Sequence, residues 1–408
     1  MRTLVAVALA AWCWGTIVRA DDLKLSPAGL SRIDAYFNHE VATGQIPGAV
    51  VLIQRHGRPV YSRLFGARDV ATKAPMSKDA IFRLYSVSKP ITAVAVMTLV
   101  EEGKLSLTDP LSKYIPAFAD VKVGVERDGA DGKPGLDLVA PTRPITIQDL
   151  LRHSSGLAYD YIVYGLLKQR YLDAHILAGD FDNAELAERL AKLPLAYQPG
   201  TTWAYGFSYD VLGRVIEVIT GQTLEQFEQA RLLGPLRMTN TGFYLTDPKR
   251  QALLAQPLPS EQDYYDPRVL KRWQSGGAGM VSSAADLARF FQMLLNGGTL
   301  DGRRYLSRKT IELMFADNIG PAAGVTPWAF YYPGAGFGYG LGFGVRTEAG
   351  VSPWAGSVGL VDWGGGAGVY FWIDRQEDML VLLMIQSPSQ RGRIQSAFRG
   401  LVYGAFEK

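Results

Sequence analysis

Ser86-Val87-Ser88-Lys89 is the only S-x-x-K in the chain. It opens an apolar stretch, Ile91 to Leu105, that is hydrophobic nearly all round and predicts a buried helix ending near Gly103. Pro90 falls in the first turn, where a missing N–H does no harm. Residues i and i+3 share a helix face, so the lysine amine can reach the serine hydroxyl. A serine hydroxyl is a weak nucleophile and needs a base beside it. A lysine brought towards neutrality by burial and a neighbouring charge can be that base. The helix N-terminus adds free N–H groups and a positive dipole end, which favour a developing oxyanion. The bland alternative makes Ser86 a helix cap and Lys89 a solvated charge, and spacing alone does not separate the two.

Other chemistries are excluded by what the sequence lacks. No serine lies in G-x-S-x-G and no G-x-x-x-x-G-K-[ST] occurs, so neither a nucleophile elbow nor a P-loop is present. Gly364-Gly365-Gly366-Ala367-Gly368 opens no helix and is no dinucleotide fingerprint. One cysteine rules out a disulfide framework, a zinc ribbon and an iron–sulfur site. The four histidines, His39, His56, His153 and His175, have no ligand spacing, so no metal or other cofactor is expected. Charge is balanced at +3 with no basic stripe, which argues against a nucleic-acid partner.

The elements that must hold Ser86 and Lys89 can be read on either side of them. Pro47 to Asp69 predicts two strands about a Gly57-Arg58-Pro59 turn. Residues 121 to 143 read as an exposed insertion or hairpin, and Thr146-x-x-Asp149 as a capping box. From about 145 to 315 the pattern is mainly helical, and 317 to 340 reads as a long surface loop. Strands return in "GYGLGFGVRT", "VDWGGGAGVYFWID" and "MLVLLMIQS", before a closing helix over 391 to 406. Strands at both ends with helices between them predict an α+β fold in which the two ends share one antiparallel sheet. The expected division is 21–110 with 337–408 as a discontinuous α/β domain, and 111–336 as a mainly helical domain, with the active site at their interface. Arg2, the apolar run Leu4 to Trp14 and Val18-Arg19-Ala20 predict a signal peptide over 1–20, hence export to a bacterial periplasm or medium without stable membrane insertion.

Five ordered stretches carry a resemblance: "FRLYSVSKPITAVAVMTLVEEGKLSLTDPL", "ITIQDLLRHSSGL", "PGTTWAYGFSYDVLGRVIEVITG", "GGAGMVSSAADLARFFQMLLNGG" and "VDWGGGAGVYFWID". From about residue 27 onwards the chain resembles the class C β-lactamase and penicillin-binding-protein superfamily of serine hydrolases, and within it the family VIII carboxylesterases. That resemblance implies a β-lactamase/transpeptidase-like fold and an acyl-enzyme mechanism. It makes Ser86 the nucleophile, Lys89 its helix partner, and Tyr205 the phenol that relays the proton with the lysine. A phenol of pKa near 10 needs the adjacent ammonium to hold its anionic form. It places the oxyanion hole at the backbone N–H groups of Ser86 and Gly366. Trp363-Gly364-Gly365 stands where lactamases carry K-T-G.

The departures select the substrate. Phe207 stands where β-lactamases have an asparagine for the substrate amide, and Trp363 where they have a lysine for the lactam carboxylate. Phe207, Trp363, Gly364 and Gly365 are therefore expected to meet an apolar acyl or alcohol group. The expected partner is a small-molecule ester, with a β-lactam as a minor substrate. The alternatives are a β-lactamase or D-Ala peptidase, or a relative that recognises penicillin without turnover. His153 is expected to be structural, Tyr209 is the reserve for Tyr205, and the aromatic stretch Trp328 to Gly340 is expected to wall the acyl pocket.

Overall fold

A computed structural model describes residues 25–128, 133–261, 265–327 and 331–407; the segment expected to be a signal peptide lies outside them. The first strands are β1 (Gly48–Arg55), β2 (Arg58–Asp69) and the short β3 (Ala74–Pro75). Near the C-terminus come β4 (Phe337–Tyr339), β5 (Gly344–Arg346), β6 (Val361–Gly364), β7 (Tyr370–Asp374) and β8 (Met379–Met384). They form one antiparallel sheet in the order β4-β5-β6-β7-β8-β1-β2-β3. The two ends of the chain meet at the β1–β8 seam, where Val50 faces Met384 and Arg55 faces Met379. Both strands are apolar and almost wholly buried, so each needs a neighbour on both edges and a layer on both faces.

Alternation sends the two faces to different layers. Val51, Ile53, Val381 and Leu383 pack under the Pro27–Ala42 and Arg391–Tyr403 helices, through Ile33, Phe37, Ile394 and Phe398. Val50, Leu52, Leu380 and Leu382 face the other way, into a core that runs on through the helices from the middle of the chain. The sequence reading did not find the Pro27–Ala42 helix. Its signals are local: Ser26 caps it by accepting from Gly29 N at 2.9 Å, Pro27 sits at its start, and Ile33 and Phe37 lie four apart.

The Ser88–Glu101 helix is buried all round from Ser88 to Leu99, as its uniform apolarity required, and Gly103 follows it at φ 69°. Helix Ser208–Thr220 packs against it. Residues 123–128 and 134–139 pair as the expected hairpin. Thr146 and Asp149 form a reciprocal capping box, with bonds of 3.2 and 2.9 Å. The buried Asp149 also pairs with Arg143 and Arg152, fixing the chain just before His153. The stretch 317–340 is less exposed than expected: Val325, Phe337 and Tyr339 are buried, the last two in the edge strand β4, because their apolar area is worth more inside. Trp328 to Phe330, part of the expected aromatic wall, lie outside the described residues.

Candidate active site

Ser86 lies in a single 3-10 turn, Tyr85–Val87, that leads into the Ser88–Glu101 helix. Tyr85 has φ 48°, in the left-handed region, although it has a side chain. That conformation costs about 1–3 kcal/mol and persists where surroundings enforce it. Here the Tyr85 ring packs edge-on against Tyr265 at 5.3 Å, and Leu84 N bonds Met280 O at 2.8 Å.

Two groups converge on the Ser86 hydroxyl. The Tyr205 hydroxyl donates to Ser86 Oγ at 2.6 Å and Lys89 Nζ donates to it at 3.1 Å. Nζ also donates to the Gly277 carbonyl at 2.8 Å and lies 4.5 Å from the Tyr205 ring centre. Lys89 is fully buried, and burial takes its pKa down to about 7. The neighbouring charge was expected to help neutralise it. The neighbour is Asp210, an acid that pushes the amine up, so burial alone lowers it. Burial also raises the Tyr205 phenol well above its ordinary value, which works against the anionic form.

Tyr205 reaches Ser86 because its strand-like segment is pinned on both sides. Ala204 N donates to His153 O at 2.8 Å, and Tyr159 N to Tyr205 O at 3.1 Å. His153 itself is fully buried among aromatics, with its ring 4.7 Å from that of Tyr205. Neither ring nitrogen has a hydrogen-bond partner and burial pushes its pKa well down, so it packs as a neutral ring. Tyr209, the reserve, turns away and donates to Leu151 O at 2.6 Å.

The glycine stretch lies on the other side of Ser86. A Cβ on Gly365 would come within 2.1 Å of the Leu84 carbonyl oxygen, so only glycine lets this loop press against the turn that carries the serine. The Gly366 N–H has no acceptor among the described residues, while its carbonyl accepts from Arg391 Nη1 at 2.8 Å.

Ser86, Tyr205 and the glycine stretch border a cavity of about 580 Å³, with Lys89 buried behind them. Its walls are aromatic, with Tyr85, Tyr159, Tyr205, Trp273, Tyr332 and Trp363 among them. Trp363, Gly364, Gly365 and Gly366 line it. Phe207 does not. It is buried with 1% of its surface exposed, behind Tyr159, whose ring meets it edge-on at 4.6 Å. The expected contact between Phe207 and substrate is thus corrected: Tyr159 occupies that wall, and Phe207 supports it. Sequence reasoning also missed Asp210, Ser275 and Arg391, all of which border the cavity. Asp210 gave no signal of its own, since it shares a helix face with Gly213, Arg214 and Glu217 and reads as an ordinary first-turn acid; its burial is set by the tertiary packing. Among the described residues no cluster of three potential metal ligands occurs, and no helix is long and apolar enough to cross a membrane.

Known proteins share this architecture. The family model described as Beta-lactamase matches residues 33–403. Esterase EstB of Burkholderia gladioli is 31% identical over 408 aligned positions, covering 93% of this chain and 97% of that protein. Lovastatin esterase of Penicillium rubens is 33% identical, covering 87% and 92%. The structure of EstCE1, titled a hydrolase with promiscuous acyltransferase activity, superposes with a TM-score of 0.75 at 29% identity, covering 92% of this chain and 99% of that one. With its sheet joined from both chain ends and a cavity between sheet and helices, the chain belongs to the Beta-lactamase family, in the group that holds the family VIII carboxylesterases.

Proposed function

We propose that the protein is a carboxylesterase that works through an acyl-enzyme on Ser86. The observation that carries this reading is the convergence of Tyr205 Oη, at 2.6 Å, and Lys89 Nζ, at 3.1 Å, on one serine hydroxyl at the edge of an aromatic cavity. Ser86 Oγ attacks the ester carbonyl carbon, its proton passes to Lys89 directly or through the Tyr205 hydroxyl, and the carbonyl electron pair moves onto oxygen. The N–H groups of Ser86 and Gly366 receive that oxyanion; each fixed donor contributes about 3 kcal/mol to lowering the barrier. The proton then goes to the departing alkoxide, and water repeats the sequence on the acyl-enzyme. A lysine pKa of about 7 suits a base at neutral pH.

Ester substrates are favoured by the names of EstB and lovastatin esterase and by the cavity wall. Trp363 offers no charge to a lactam carboxylate, and sites that lack a needed polar partner lose orders of magnitude in rate. A short-chain p-nitrophenyl ester and a chromogenic cephalosporin, assayed side by side, test the reading. Dominant ester turnover with a fluorophosphonate label on Ser86 supports it. Dominant cephalosporin turnover, acylation without turnover, or a label elsewhere overturns it.

A further inference from the structure

Asp210 lies in the first turn of the Ser208–Thr220 helix, five residues after Tyr205. It is almost fully buried, yet it borders the cavity. Its Oδ1 accepts from Ser275 Oγ at 2.5 Å. Its Oδ2 lies against Gly277, so closely that a Cβ there would stand 2.7 Å from it. The carbonyl of the same Gly277 accepts from Lys89 Nζ at 2.8 Å. Carboxylate and amine are therefore tied to one loop, without a direct ion pair between them among the described residues.

Other titratable groups around the amine do not compete for this place. Tyr205 is engaged with Ser86. Tyr159 stands with its ring centre 5.7 Å from Nζ, and burial holds its phenol neutral. His153 is a neutral packed ring. Glu228, which reaches the same helix, accepts from Thr92 at 3.2 Å. Asp210 is the acid whose charge acts on Lys89; burial pushes its own carboxyl pKa up, and Ser275, the Lys89 charge and the Gly277 N–H work against that by favouring the charged form.

We propose that Asp210 is the positioning residue of the reaction: through Ser275 and Gly277 it sets Lys89 against Ser86, and its negative charge stabilises the ammonium formed when Lys89 takes the Ser86 proton. This rests on the reading of Ser86 as the acylated residue. In the acylation step the Ser86 O–H bond breaks, its proton moves to Nζ, and the Oγ–C bond forms as the carbonyl pair becomes the oxyanion. A positive charge thus appears in a dry site, where an uncompensated ammonium is costly. A carboxylate in direct contact would hold the ammonium permanently and spoil the base. A carboxylate one loop away stabilises the ammonium without locking it.

The test is the pH dependence of ester hydrolysis by wild type, Asp210→Asn and Ser275→Ala. In the wild type, kcat/KM falls on the acid side as Lys89 becomes protonated, about a pKa of about 7. Asparagine keeps the shape and removes the charge, so the Lys89 pKa falls and the acid limb moves to lower pH by about one unit. Plateau kcat drops about 100-fold with KM changed less than about twofold, because the lost interaction belongs to the transition state. Ser275→Ala weakens the ionised carboxylate and moves the limb the same way by less. An unmoved or raised limb in Asp210→Asn overturns the proposal, whatever the loss of activity. If that variant does not fold, the limb of Ser275→Ala decides by the same criterion. Fluorophosphonate labelling of wild-type Ser86 separates the two readings: labelling with an unmoved limb sinks the role of Asp210 alone, and no labelling sinks the esterase mechanism.

Discussion

The cavity has two buried pairs of opposite charge, one on each side of the sheet, and they are built differently. On the closing-helix side, Arg399 Nη1 touches Asp362 Oδ2 at 2.8 Å and the Tyr370 oxygen at 2.9 Å, and Tyr370 donates to the same carboxylate at 2.8 Å. Arg399 Nε adds a bond to Ala355 O at 3.0 Å. Burial works against the guanidinium, but Tyr370 and Asp362 outweigh it and push its pKa up overall. On the helical side, Lys89 and Asp210 meet only through Gly277 and Ser275, and burial brings the amine down to about 7. A contact pair with a residue that never deprotonates is a fixed joint. A separated pair with an amine leaves one proton free to move. On the proposed mechanism, the touching pair serves structure and the separated pair serves chemistry.

Replacing the lysine attacks that contrast most directly. Lys89→Ala is expected to lower kcat by about 10³–10⁴-fold and also to destabilise the fold in urea unfolding, because it leaves Asp210 buried without the amine and empties a fully buried side-chain volume. Lys89→Arg should fail equally, because a guanidinium cannot accept the proton. An active arginine variant would show that the charge matters and the mobile proton does not.

Arg399→Met is the matching experiment on the other side. It leaves Asp362 buried without its cation, and should destabilise the fold by about 3–5 kcal/mol. The protein that remains folded should keep its kcat. Replacing both partners by apolar residues should recover most of the loss. A large fall in kcat without destabilisation would move Arg399 from joint to reaction.

Tyr205→Phe comes next, at about 10²–10³-fold in kcat with a smaller effect on KM. Combined with Lys89→Ala it should cost little more than the lysine change alone, because groups that handle one proton act as a unit. Losses that multiply would make the two residues independent and end the shared-proton account.

The smallest effect concerns a third cluster, Asp149 with Arg143 and Arg152, which is of the touching kind. Thr146→Ala removes one half of the capping box that orients Asp149. It should cost about 1 kcal/mol in urea unfolding with kcat unchanged. A clear change in kcat would show that this joint also sets the geometry at Tyr205.

Much was decided by local chemistry and so was legible in the chain itself. Uniform apolarity from Ile91 onward means burial on every side. The i, i+3 spacing of Ser86 and Lys89 puts their side chains together on any helix. Two apolar strand regions at opposite ends need each other's edges, and Thr146-x-x-Asp149 caps whatever follows it. The Pro27–Ala42 helix was also legible, since Leu30, Ile33, Phe37 and Val41 recur at helical spacing and pack on one core, but the sequence reading passed over it. The rest was set by contacts between segments far apart in sequence. Tyr159 is held before Phe207 by contacts across the fold, its N–H donating to Tyr205 O and its ring packing against Tyr205 and Phe207. Gly277 reaches Lys89 from 188 positions away. Whether Asp210 touches the amine or stops one loop short is fixed by where that loop packs. Residue types and short spacings can name a nucleophile and its base. The distance between two buried charges, which decides if a proton stays or moves, belongs to the tertiary structure.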